Sequence, residues 1–357
     1  MPKSRAHELG IPLEGTPGPL NAITDLLGVE VGYTTLIEGE SIRTGVTIIH
    51  PRGKANHDPV FGGWFPLNGN GELTGAAWLE EGGFLEGPIG LTNTHSVGIV
   101  RDTIIAWQVK NKSLFQLWST PLVTETADGW LNDMYDLHIQ PEHVWAALDN
   151  AQSGPLAEGN VGGGTGMICY EFKGGTGTAS RRLPAKFGGY TVGALVQANF
   201  GRRFQLTVAG IPVGQHLTEN AVFTSGENPF RETGSLVVIL ATDAPLLPYQ
   251  LKRLARRGAI GMARTGGMAG NGLGDLFLAF STANPGAARP ESGIATLQAL
   301  PNDRLDPLFM AASYATEEAI LNALLAAETM TGREGLTVPA LPHDRLQAVL
   351  RQYNRLA

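Results

Sequence analysis

The sequence predicts an α/β fold in which stacked β-sheets are covered by helices. Three features lead there. Short apolar runs rich in β-branched residues, above all Leu236-Val237-Val238-Ile239-Leu240, have the length of strands buried on both faces. Longer stretches, above all 248–264 and 343–353, read as helices. The two kinds of element come in blocks and not in strict βαβ alternation, which disfavours a Rossmann arrangement.

In chain order, Val29-Glu30-Val31-Gly32-Tyr33 and Val46-Thr47-Ile48-Ile49-His50 read as strands, with breakers at Pro17-Gly18-Pro19 and Leu27-Gly28. Residues 64–72 read as a loop and 76–81 as a helix. The run 92–98 leads into apolar spacing that suits a helix over 99–107. Residues 122–133 crowd polar and aromatic side chains into an expected loop. A strand is expected from Met167 to Phe172, and a hairpin begins at Gly174. Thr191 to Asn199 is a strong strand closed by Gly201, and 218–234 is a polar, weakly patterned loop. After the strand at 236–240 come a helix over 248–264, a strand over 276–281 and a mostly helical stretch over 310–330. Thr316 is expected to cap a break in that stretch, and a final amphipathic helix covers 343–353.

Composition narrows the classes. The chain has 357 residues, 43% hydrophobic and only 17% charged, which fits a large core with surface buried in an oligomer. No repeat or linker divides it, so residues 1–357 read as a single domain. A net charge of −7 gives no footprint for nucleic acid. No apolar run approaches the ~20 residues that span a bilayer, and the first residues lack the apolar core of a signal peptide. With one cysteine, Cys169, there is no intrachain disulfide, and a cytoplasmic setting is expected. No His-x-x-x-His or His-Glu-x-x-His spacing points to a metal, and no Gly-x-Ser-x-Gly elbow points to an α/β-hydrolase. Gly162-Gly163-Gly164-Thr165-Gly166 lacks the Gly-Lys-Ser/Thr ending of a phosphate loop, so tight turns are the expectation there.

The chemistry centres on Gly234-Ser235. A serine hydroxyl needs a base to take its proton, and an adjacent amine can serve. If the bond between Gly234 and Ser235 is cut, Ser235 acquires a free α-amino group, whose pKa of about 7.7–8.0 leaves a useful neutral share near pH 7. Gly234 tolerates strained dihedrals and leaves room for attack on its carbonyl. The same dipeptide is also what an ordinary turn before a strand contains. Asn199, at the end of a strand, is able to donate to a developing oxyanion, or to be a strand-end turn residue. Glu125, near Trp130, fits a substrate's ammonium group, or is a solvated loop glutamate. His95 sits among small polar residues and suits either a site wall or a structural hydrogen bond.

Ordered stretches along nearly the whole chain carry a resemblance that spacing alone does not establish. They are 15–25, Leu67-Asn68-Gly69-Asn70-Gly71-Glu72, Thr92-Asn93-Thr94-His95-Ser96-Val97-Gly98, 159–166, Val196-Gln197-Ala198-Asn199 and 234–245. Together they resemble the bacterial L-aminopeptidase/D-amidase/D-esterase (DmpA-like) family, which includes the β-aminopeptidases. The resemblance implies an αββα sandwich and autoproteolysis between Gly234 and Ser235, giving fragments 1–234 and 235–357. It also implies assembly into a homo-oligomer, typically a tetramer of cleaved protomers. It implies release of N-terminal residues from small peptides, amino-acid amides or esters, with no metal or other cofactor. By the same resemblance Ser235 is the nucleophile, Asn199 helps form the oxyanion hole and Glu125 holds the substrate's amino group.

Two positions depart from the family pattern. Where the family carries Asn-Gly-Ser-Gly-Asp/Glu, this chain has Asn271-Gly272-Leu273-Gly274-Asp275; Asp275 remains, but the serine that would be its partner is Leu273. Where the family has Glu-Thr-Tyr-Asp-Gly, this chain has Glu125-Thr126-Ala127-Asp128-Gly129. These losses motivate a second reading, an uncleaved or very slow relative that acts as a binding or structural protein. A third is acyl transfer on the related ornithine acetyltransferase-like fold, whose threonine nucleophile Ser235 disfavours.

Overall fold

A computed structural model describes residues 4–223, 232, 234–289, 291 and 293–356. Its strands, in chain order, are β1 (Glu30–Glu38), β2 (Ile42–His50), β3 (Val60–Pro66), β4 (Phe84–Leu85), β5 (Ile89–Thr92), β6 (Leu122–Glu125), β7 (Ile168–Cys169), β8 (Phe172–Lys173), β9 (Gly175–Arg182), β10 (Thr191–Asn199), β11 (Ser235–Thr242), β12 (Leu276–Ser281), β13 (Met330–Thr331) and β14 (Thr337–Val338). The α-helices are α1 (Ala76–Gly82), α2 (Val97–Lys110), α3 (Pro141–Asp149), α4 (Pro248–Arg264), α5 (Asp306–Leu325) and α6 (His343–Gln352).

Two sheets dominate. One has the order β1-β2-β5-β6; the other has the order β4-β3-β12-β11-β10-β9. Strand β11 shows why the run at 236–240 is apolar without alternation. Successive side chains in a strand point to opposite faces. Leu236, Val238 and Leu240 pack with Leu251 and Leu254 of α4 and Ala312 and Ala315 of α5. Val237, Ile239 and Ala241 face the other way, onto Ile49, Ile89, Leu91 and Leu122 of the four-stranded sheet. That sheet's far face carries Val46, Ile48 and Val123, covered by Val100, Ile104 and Trp107 of α2 and Val144 of α3. The layers therefore run helix, sheet, sheet, helix, as expected. Each aliphatic side chain buried on β11 stabilises by roughly 1.5–3 kcal/mol. The strand is thus anchored along its length, and its first residue, Ser235, is held without help from whatever precedes it.

Parallel pairs fall where a helix can cross over: β11 to β12 through α4, and β5 to β6 through α2. All the other named strand pairs are antiparallel. The glycine run forms a 3₁₀ turn over Gly162–Gly164 that is filled by protein. A Cβ on Gly163 would lie 2.1 Å from Gln197 Oε1, and one on Gly164 2.2 Å from the Thr176 nitrogen. The run is a packing device between β2, β9 and β10, as the tight-turn reading expects. Cys169 is buried in β7.

Four expectations need correction. Residues 64–66 belong to β3 and not to a loop; Pro66 ends the strand opposite Leu276, where its missing N–H is tolerated. Residues 122–125 form a fully buried strand, because Leu122 to Glu125 pair with Ile89 to Thr92. Residues 167–172 are not one strand; Tyr170 and Glu171 at φ 51° and 60° turn the chain between β7 and β8. Helix α5 runs without a break through Thr316, whose hydroxyl donates back to the Ala312 carbonyl at 2.8 Å. The loop expected over 218–234 lies mostly outside the described residues, as does Thr233. No helix among the described residues is long and apolar enough to cross a membrane.

Candidate active site

Ser235, Asn199 and Asp275 meet at one end of the six-stranded sheet because their strands are neighbours. Asn199, last in β10, is the register partner of Ser235, first in β11. Asp275 immediately precedes β12, and its Oδ1 accepts from the Leu236 N–H at 2.9 Å. Its Oδ2 accepts from Asn68 Nδ2 at 2.8 Å. Burial pushes the Asp275 carboxyl up to about 6; those two hydrogen bonds oppose the shift and the neighbouring Glu232 adds to it. Asn68 follows β3 by two residues, so β3, β11 and β12 all contribute to holding this carboxyl.

The Asn199 amide is fixed at both ends. Its Oδ1 accepts from the Ile168 N–H at 2.8 Å and its Nδ2 donates to the Ala127 carbonyl at 2.9 Å. An amide nitrogen has two donors, so one remains after the bond to Ala127. Just before Ser235, Gly234 has a φ of 125°, and a Cβ there would lie 2.0 Å from the Asn199 carbonyl oxygen. Only glycine fits. Ser235 itself is 4% exposed in the uncut chain. Leu273, fully buried, pairs with Gly234 in a parallel bridge. A leucine therefore stands beside Gly234, and no hydroxyl is supplied from it.

Glu125 closes β6, on the other sheet, and is 3% exposed and not a solvated loop residue. One carboxylate oxygen accepts from the Glu72 N–H at 3.1 Å; the other accepts from the Thr94 hydroxyl. Burial pushes this carboxyl up, and those two bonds pull against it. A carboxylate has about four lone-pair positions, so acceptor capacity remains. The loop that follows stitches the sheets together. Gln197 Nε2 donates to Thr126 Oγ1 at 2.8 Å, and Asn199 Nδ2 reaches Ala127. These two hydrogen bonds tie the loop that follows Glu125 to the end of β10, the strand that pairs with Ser235. Asp128, fully buried with its carboxyl pushed up to about 7 by burial, pins this loop through Asn132 Nδ2 at 3.1 Å.

Trp130 sits further out. It is half exposed and tilted against Phe223, with ring centroids 4.9 Å apart. The two rings line a cavity of about 480 Å³ with Arg333 and Leu336, and none of Ser235, Asn199 or Asp275 lines it. His95 is exposed, its Nδ1 3.3 Å from the Met134 carbonyl. Sequence reading gave no role to Asn68 or Thr94, whose hydrogen bonds hold Asp275 and Glu125. The only signal was their presence in the Asn-Gly-Asn-Gly and Thr-Asn-Thr-His stretches.

A profile for peptidase family S58 matches residues 21–338. The chain belongs to peptidase family S58. An S58 relative, the β-peptidyl aminopeptidase BapA of Sphingosinicella microcystinivorans, is 51% identical over 99% of this chain and 93% of its own. Among solved structures, a β-aminopeptidase from Burkholderia sp. superposes with a TM-score of 0.90 at 49% identity, covering 98% of this chain and 99% of its own. The L-aminopeptidase D-Ala-esterase/amidase of Ochrobactrum anthropi, a prototype for the serine aminopeptidases with a variant Ntn hydrolase fold, gives a TM-score of 0.92 at 46% identity, covering 99% and 100%. This S58 member is accordingly an enzyme, a serine aminopeptidase of the N-terminal-nucleophile class, with the αββα fold of that class. The binding-protein and acyltransferase readings are not favoured.

Proposed function

We propose that the chain cuts itself between Gly234 and Ser235 and then releases N-terminal β-amino residues from small peptides, amides or esters. The observation that carries this is the placement of Ser235: first in a buried central strand, directly after a glycine at φ 125°, with the Asn199 amide across from it. After cleavage the Ser235 hydroxyl attacks the substrate carbonyl and its own amine takes the proton. The free Nδ2–H of Asn199 stabilises the oxyanion. Asp275, through the Leu236 N–H, holds the start of β11 and offers a negative charge to the new ammonium. Glu125 takes the substrate's ammonium group, and Trp130 walls the approach. The names of the 51%- and 49%-identical relatives support the β-amino substrate class.

The exposed Leu117 and Trp118, 92% and 60% accessible, support burial of this surface in a homo-oligomer, for which we favour a tetramer. The single, buried Cys169 fits a cytoplasmic setting.

The test is intact mass with N-terminal sequencing, followed by assay on matched β- and α-amino acyl amides. Two fragments, the smaller starting at Ser235, and faster release of the β-residue are expected. A purified chain that stays whole and hydrolyses neither amide refutes the proposal.

Two protonations oppose activity in acid. One is at the Ser235 amine, ordinarily at about 7.7–8.0; the other is at Asp275, raised to about 6. The logarithm of kcat/KM should climb with pH, with a slope above one where both groups titrate and about one where only the amine does. In Asp275→Asn the slope should stay near one throughout, at a lower level, because the amide nitrogen meets a donor from Asn68 or Leu236. An unchanged profile in that variant removes Asp275 from the mechanism.

A further inference from the structure

Ahead of the Gly234–Ser235 bond, Glu232 and Gly234 are held as well as the residues behind it. Glu232 is 5% exposed, and its Oε2 accepts from the Gly270 N–H at 2.7 Å. Its backbone lies tight on the same turn: a Cβ on Gly272 would stand 2.7 Å from the Glu232 carbonyl oxygen. Two residues on, Gly234 bridges Leu273 in parallel register, and two further on, Leu236 donates to Asp275. Alternate residues 232, 234 and 236 are thus tied to 270, 273 and 275, and the Gly234–Ser235 bond lies inside that bracket. The turn does not depend on the segment it holds. Asn70 Nδ2 donates to the Gly272 carbonyl at 2.9 Å and the Asn70 N–H to the Leu273 carbonyl at 3.3 Å.

One feature of this clamp is costly. The other Glu232 oxygen, Oε1, is buried with no hydrogen-bond partner among the described residues. A buried polar atom left unpaired is destabilising, more so when it carries charge. A continuous chain keeps it there; a cut chain has no such constraint.

We propose that Glu232 is a positioning residue for self-cleavage, which docks the segment ahead of Gly234 onto the 270–273 turn until the bond breaks and then withdraws to water. This rests on reading Gly234–Ser235 as the bond that is cut. In that reaction Ser235 Oγ bonds to the Gly234 carbonyl carbon, the Gly234–Ser235 C–N bond breaks, and the hydroxyl proton passes to the departing nitrogen. Water then splits the ester to a Gly234 carboxylate and a free hydroxyl. Glu232 supplies no atom; it keeps the carbonyl within reach of the hydroxyl, where loss of orientation is felt directly in rate.

The experiment follows fragment formation by intact mass after cell-free synthesis of wild type, Glu232→Ala, Glu232→Gln and Ser235→Ala. Glu232→Ala should slow cleavage by about tenfold or more, whereas Glu232→Gln, whose amide oxygen still accepts from Gly270, should stay within about threefold. Equal cleavage rates in wild type and Glu232→Ala overturn the role of Glu232 and leave the cleavage reading standing; a wild-type chain that never cleaves overturns both. A second readout does not need the alanine variant to fold. The Gly270 amide should be protected from hydrogen exchange in uncut Ser235→Ala and lose that protection in cleaved wild type. Equal protection in the two overturns the withdrawal.

Discussion

Ser235→Ala should remain a single 37.9 kDa species and lose hydrolysis by at least about 10⁴-fold. The substitution removes only an oxygen, and β11 keeps its apolar residues and its ladders to β10 and β12. The fold should therefore persist, and the melting temperature of the variant reports that directly. Both losses have one origin in the proposed mechanism, in which the same hydroxyl attacks the Gly234 carbonyl in the precursor and the substrate carbonyl afterwards. Mass spectrometry and an amide-hydrolysis assay on one preparation check the two together. A Ser235→Ala chain that still splits, or still turns over, would place the nucleophile elsewhere.

Asn199→Ala should lower kcat by about 10²–10³-fold, the usual effect of deleting one oxyanion donor. It should also destabilise the fold, because the Ile168 N–H and the Ala127 carbonyl lose their partner. Each buried group left unpaired costs about 1–3 kcal/mol. Asn199→Asp separates the effects: it keeps an acceptor for Ile168 but has no N–H to donate. The expected pattern is a similar fall in kcat for both variants, with the smaller drop in melting temperature for aspartate. If Asn199→Asp retains wild-type kcat, the amide is not the oxyanion donor.

The central layers were legible in the sequence because their signals are local. Residues 191–199 and 248–264 carry strand and helix patterns and form β10 and α4 with those bounds, and the apolar run 236–240 lies inside β11. Leu122–Glu125 was not legible as a strand, since Thr124 and Glu125 look like loop residues until Thr94 and Glu72 are seen to hold the carboxylate. Ser235 announces itself by following Gly234 at the head of an apolar run. Asn199, Asp275 and Glu125 needed the family resemblance as well. Asn68 and Glu232 stayed hidden for a different reason. Their meaning comes from Asp275 and Gly270, which meet them only across the folded sheet, and no spacing along the chain encodes that.

The strand order has a consequence for the protein once it is cut. The pair β12-β11 lies between β3 on one side and β10 on the other. Cleavage before Ser235 would leave two polypeptides interdigitated like the fingers of folded hands, with the six-stranded sheet whole in neither. They cannot drift apart by fraying, because two full ladders must break at once. Once melted apart, they must find each other again by diffusion, without the tether that guided the newborn chain. Self-cleavage as proposed would then commit the molecule to a form whose endurance is set by how slowly it comes undone.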